Sequence, residues 1–240
     1  AYTQGDIRYC TNNKEGVITI SGNRNTNGQH ANGTSPRIGT YGVAGICAYK
    51  TVDTMSDCTN HGDIIMSGTT TEKTTTISEF KVAGIVCYTS KDGENFVSDG
   101  TIKLSGTFGC EMQVAGSIGF HYNTISGEEK SSTKIEISGD CSKGLVVGGV
   151  VGQTYVKVED LEYNGSINIT KDAVIGTTCY IGGGVGKLMT SLKDGKTGHS
   201  SPSGVYCKDV TNNGSITVNG TINCTPYIGG CVGYAMVGRE

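Results

Sequence analysis

Ten cysteines, four histidines and 22 acidic residues are the raw material for metal binding or acid–base work in this 240-residue chain. A structural zinc site needs ligands at short fixed spacings, and a nucleophile needs a base beside it. His30, His61, His121 and His199 stand alone, and no Cys-x-x-Cys occurs. We read the histidines as surface or loop residues and expect neither metal nor cofactor. A glycoside hydrolase needs two carboxylates flanking one sugar bond. The candidates Asp63, Glu136, Glu128-Glu129 and Glu159-Asp160 fall at different phases of the repeat described below. Adjacent residues of a strand point to opposite faces, so these carboxylates read as solvated surface charge and no catalytic residue is expected.

Six Asn-x-Ser/Thr sequences, at Asn32, Asn164, Asn168, Asn213, Asn219 and Asn223, are glycan acceptors if the protein is secreted from a eukaryote. Asn-Gly is equally the turn dipeptide that tolerates positive φ, and both readings stay open. The even number of cysteines suits an oxidising compartment. Buried free thiols and disulfides between neighbouring repeats remain alternatives.

Composition narrows the class. Gly occupies 38 positions, Pro only three and Trp none. High Gly without a collagen period, together with many β-branched residues, indicates a turn-rich β protein. The net charge of −3 has no basic stripe to hold a phosphate backbone, so no nucleic-acid partner is expected. No apolar run reaches the roughly 18–20 residues of a membrane-spanning helix, and membrane insertion is not expected.

One word recurs six times: GVITISG, GDIIMSG, GTIKLSG, TKIEISG, GSINITK and GSITVNG, beginning at residues 16, 62, 100, 133, 165 and 214. Its third position is always Ile: Ile18, Ile64, Ile102, Ile135, Ile167 and Ile216. Its fifth is Ile20, Met66, Leu104, Ile137, Ile169 and Val218, and the residues between are mostly polar. Period-two alternation marks a strand buried on one face. A second word follows each first: VAGICAY, VAGIVCY, VAGSIGF, VGGVVGQ, IGGGVGK and IGGCVGY. Its third position is Gly in every copy (45, 84, 116, 149, 183 and 230), which predicts a backbone bend or a packing contact too close for a Cβ. These Gly-rich words lack the Lys-Ser/Thr and following helix of a phosphate-binding loop.

From that Gly to the next first word is 16 or 17 residues in four cases and 31 in the fifth. Constant walls with variable corners describe a solenoid. The shortest coil, 32 residues, fits an all-β, three-sided parallel β-helix with three short strands per coil and about six coils in one segment, 1–240. Loops inserted at 23–41, 69–80 and 188–204 leave at corners and are the best places for a ligand. Ser21, Ser67, Ser105, Ser138, Thr170 and Asn219 form a small polar ladder. Its outward neighbours are too varied for a flat ice-binding wall, and it is expected to turn the corner through hydroxyl–backbone bonds. The chain starts and stops at the same phase of the repeat with no polar cap. That predicts either an excerpt of a longer array, the preferred reading, or a subunit that stacks end to end.

The run "NNGSITVNG…YIGGCVGY" and its weaker copies resemble the GLUG-type repeats and related Gly-rich repeats of secreted and surface proteins, abundant in Bacteroidetes. Gln153 and Lys187 replace the aromatic residue that usually follows the second word there. The resemblance implies an extracellular or outer-surface location and a structural or adhesive role, with surface glycans or host and cell-surface proteins as partners. It brings no catalytic residue. Asp53-Thr54-Met55 is similar to the short O-glycosylation motif of the same group, which adds Thr54 to the glycan acceptors. Function is therefore expected to be that of a non-enzymatic stalk, adhesin or fibre component. The alternatives are a self-assembling filament subunit and a carbohydrate-active β-helix enzyme with a loop-borne site.

Overall fold

The alternation of the first word becomes a wall. In the computed structural model, Val17–Ile20, Asp63–Met66, Thr101–Leu104, Lys134–Ile137, Ser166–Ile169 and Ser215–Val218 form one parallel sheet. The structure describes residues 2–3, 5–22, 24–25, 41–50, 53–71, 79–90, 93–122, 127–189 and 207–236. Ile18, Ile64, Ile102, Ile135, Ile167 and Ile216 pair in unbroken register along the wall. The four inner isoleucines are fully buried in a core of stacked apolar side chains, and the two end ones are half-buried. Parallel in-register pairing places like on like at about 4.8 Å. The chain is a parallel β-solenoid.

The second word is not one strand. It breaks at its invariant Gly into two, as in Glu79–Ala83 followed by Val86–Thr89, and each half stacks into its own sheet. The halves fold back as an arch: the Cys87 thiol reaches the carbonyl of Lys81, six residues earlier, at 3.3 Å and that of Val43 at 2.9 Å. Where three strands per coil were expected, each coil carries five or six short ones among the described residues. The Gly requirement has a physical cause. A Cβ on Gly84 would lie 2.0 Å from the carbonyl oxygen of Gly116 and 2.1 Å from Ser98 Oγ. The same conflict recurs at Gly116 with Gly149 and Ser131.

Between the first and second words, short strands such as Thr69–Thr71 and Thr107–Phe108 build another sheet. Thr70 and Thr71 pair with Arg24 and Asn25, and Glu79–Ala83 and Val185–Met189 are wall strands. The ends of the expected loops 23–41, 69–80 and 188–204 are thus wall, and the rest of each lies outside the described residues. The polar ladder does turn a corner, but through backbone: Ser67, Ser105, Ser138, Thr170 and Asn219 each donate their N–H to the previous coil. The Thr170 hydroxyl has no partner.

A further column leads into the next coil. Tyr9, Asp57, Asn95, Asp160 and Asp209 all have φ between 51° and 60° and precede the strands Thr11–Asn12, Thr59–Asn60, Val97–Ser98, Val158–Tyr163 and Cys207–Asn212 or interrupt their starts. Asn and Asp tolerate this left-handed region because their short side chains can bond locally. Beside it, Ile7–Arg8, Met55–Ser56 and Gly93–Glu94 form a three-stranded sheet that stops. The N–H of Tyr9 bonds Ser56 and that of Asp57 bonds Glu94. No strand of the described residues receives the third layer. Instead Glu129, buried in the next coil, turns its carboxylate to the N–H groups of Phe96 (3.1 Å) and Asn95.

Candidate functional site

The acceptors read from sequence fall mostly on outer columns. Asn164 and Asn213 stack: Asn213 Nδ2 donates to Asn164 Oδ1 at 3.0 Å, and Asn164 Nδ2 donates to Glu162 Oε1 at 2.9 Å. Asn168 faces outward in register with Glu136 and Thr217. Asn219 and Asn223 are exposed; Asn32 lies outside the described residues. The Thr54 hydroxyl is already engaged, donating to Asp6 Oδ1 at 3.1 Å and accepting from the Arg8 guanidinium at 3.0 Å. The Thr54 N–H and hydroxyl hold the Asp6 carboxyl below the usual carboxylate range.

Two surface assignments are corrected. His61 does lie at the surface, 2.8 Å from Asp99, but His121 is fully buried in the arch, in register with Thr89 and Thr154. His30 and His199 lie outside the described residues. Glu128 is exposed and paired with Lys130 at 2.7 Å, whereas Glu129 is fully buried because the sheet beside it needs an acceptor. Burial pushes its carboxyl well above the ordinary range. No disulfide joins the cysteines in this structure, and no group of three metal-ligating side chains gathers among the described residues.

The chemistry that sequence reading missed lies at the mouth of the arch. Glu79 and Glu111 occupy one register position in neighbouring coils, followed two residues later by Lys81 and Gln113. The signal was present: both glutamates stand five residues before the marker Gly, in "EFKVAG" and "EMQVAG". The opposite strand supplies Tyr49, Tyr88, Phe120, Gln153 and Lys187 at another shared position. Several side chains of the two strands reach across to a neighbouring coil. Lys81 Nζ sits 5.3 Å from the Phe120 ring centre, Gln113 Nε2 donates to Gln153 Oε1 at 3.0 Å, and Tyr180 stacks on Tyr234 at 4.4 Å.

Charge in this mouth is nearly internal. Lys81 pairs with Glu79 at 2.9 Å, the lysine side chain buried and the glutamate about a quarter exposed. Burial raises the Glu111 carboxyl, opposed by the positive charge of Lys187 and by the Gln113 amide, which donates to it at 3.3 Å. Burial, with the nearby charges of Tyr122, Glu79 and Glu111, pushes Tyr155 up to about 12. Tyr49, Tyr88 and Phe120 stack face to face at 4.8 and 5.6 Å, so their flat faces are largely spent on one another. Tyr122 and Tyr155 stack at 5.3 Å above them. The arrangement offers carboxylate acceptors and ring edges to a polar ligand.

No protein-family model, no curated protein and no solved structure matches this chain.

Proposed function

We propose that this chain is a non-enzymatic, extracellular structural or adhesive β-solenoid region: a stalk, adhesin or fibre component. One observation carries the reading. Among the described residues five of the six sheets repeat in register through all the coils, so the sequence is spent on building a stiff column, and most polar side chains of the arch mouth bond within it. The resemblance to GLUG-type surface repeats supports the same role and an outer-surface location. Among the described residues no helix is long and apolar enough to cross a membrane. Partners are surface glycans or cell-surface proteins met along the column, with the arch mouth as the contact. Arrays of glycans and extracellular proteins test this. Retention of the chain that weakens at least tenfold in Glu79→Ala supports it, and no retention on any array contradicts the adhesive role.

One observation favours a second reading, the carbohydrate-active enzyme. Glu79 and Glu111 sit at one register position one strand apart, about 4.8 Å between backbones, burial raises the Glu111 carboxyl, and retaining glycosidases use two carboxylates roughly 5–5.5 Å apart. Incubation with a panel of polysaccharides decides. The non-enzymatic reading expects no new reducing ends; turnover lost in Glu111→Gln would replace it. Sedimentation at rising concentration separates the filament alternative, which requires growing polymers.

A further inference from the structure

The register sets cysteine against cysteine at one place. Thr11 pairs with Thr59 and Asn12 with Asn60, so the residues immediately before them, Cys10 and Cys58, occupy one register position of successive coils, Cys58 buried and Cys10 exposed. The N–H of Thr59 donates to the Cys10 carbonyl at 2.9 Å, which fixes the two backbones side by side at that point. In later coils the same column holds Phe96, Glu129 and Leu161, all buried. Two in-register residues on parallel neighbours have Cα atoms about 4.8 Å apart with side chains on one face. A disulfide requires Cα atoms roughly 4.4–6.8 Å apart and converging side chains.

Cys47, Cys87, Cys179, Cys207 and Cys224 find no cysteine in register. Cys47 pairs with Val86, so Cys87 is one residue out of step; Cys47 packs in the main core and Cys87 between the two sheets of the arch. Cys179 pairs with Pro226, which leaves Cys224 two residues away along the strand direction. Cys207 pairs with Val158.

We infer that Cys10 and Cys58 form a disulfide that staples the first full coil to the second. The inference rests on register alone and not on the adhesive reading. The chemistry balances with a disulfide oxidant such as oxidised glutathione. The Cys10 thiolate attacks it, forming a mixed disulfide and releasing one glutathione thiolate. The Cys58 thiolate then attacks Cys10 Sγ and expels the second. Two protein thiols lose two protons and two electrons, and one oxidised glutathione becomes two reduced ones. Burial pushes the Cys58 thiol up to about 11, and the Cys10 thiol interacts with it directly, so closure should accelerate as pH rises.

The test uses the full chain, equilibrated folded in a glutathione buffer at an oxidising poise, then unfolded in excess maleimide and digested without reductant. The expected result is a joined peptide pair containing Cys10 and Cys58, two hydrogens lighter than the sum, with neither residue alkylated. The link closes a loop of about 50 residues, so reduction should lower the thermal midpoint by roughly 5–10 °C. Cys10→Ala should abolish that increment, and Cys10→Ser provides a second variant should the first fold poorly. Quantitative alkylation of both residues, or either one joined to a different cysteine, overturns the inference.

Discussion

The isoleucine wall and the arch solve one packing problem in opposite ways. In the wall, large aliphatic residues such as Ile64, Ile102 and Leu104 stack into a broad buried core. In the arch, two sheets lie so close that Ala44, Ala83, Cys87 and Ala115 form a separate small cluster, and a Cβ on Gly42 would come within 2.7 Å of Cys87. The wall depends on filling space and the arch on leaving none. Substitutions should therefore fail in opposite directions.

The largest effect is expected at the arch tip. Gly116→Val sets a branched side chain against the Gly149 carbonyl, a backbone atom that cannot move without unstacking a coil, and should cost about 4 kcal/mol or more. Loss of the cooperative urea transition at 25 °C would register it. Next comes the wall, where Ile102→Ala should cost about 2–5 kcal/mol, read from the urea midpoint. The comparison sharpens with Ala115→Leu in the arch, expected to cost about 1–3 kcal/mol by overpacking. Adding volume to a wall position, Val218→Ile, in register with Ile169, should be milder than adding it to the arch. Equal penalties at the two places would mean that the sheets of the arch are not in contact.

A smaller effect separates the strand walls from their substitute. Glu129 holds its proton more tightly folded than unfolded, where a glutamate titrates near about 4.3, because burial disfavours its charge. The folded state then binds the extra proton as pH rises past that value, so this contribution to stability is complete in acid and is lost toward the raised folded value. Glu129→Gln keeps an acceptor for Phe96 without the charge. It should raise the thermal midpoint at pH 8 by a few degrees and leave it nearly unchanged at pH 4. A drop at both pH values would show that the carboxyl's second oxygen matters more than its ionisation.

The wall was legible because Ile18 through Ile216 repeat a residue type at a fixed phase, and period two admits only one burial pattern. The solenoid followed from constant spacings. The arch was half legible. Gly at 45, 84 and 116 announced a close approach, and the small residues on either side (Ala83 and Cys87, Ala115 and Gly119) were equally regular, but smallness alone does not say which two faces meet. Glu79 and Glu111 occur in only two coils, too few to stand out against six. Glu129 sits between Glu128 and Lys130 and looks like surface, since the lost strand that it replaces is a feature of the neighbouring coil.

The central claim is that successive coils stack in register along a single column. Thr19 and Thr217 occupy the same outward position in the first and last full coils, linked through Ile65, Lys103, Glu136 and Asn168. Spin labels introduced there through ketone-bearing side chains, which spare the ten cysteines, allow a pulsed dipolar distance measurement. Stacking predicts one narrow distribution near 24 Å, five strand spacings of about 4.8 Å. A broad distribution, or a mean beyond about 35 Å, would contradict it.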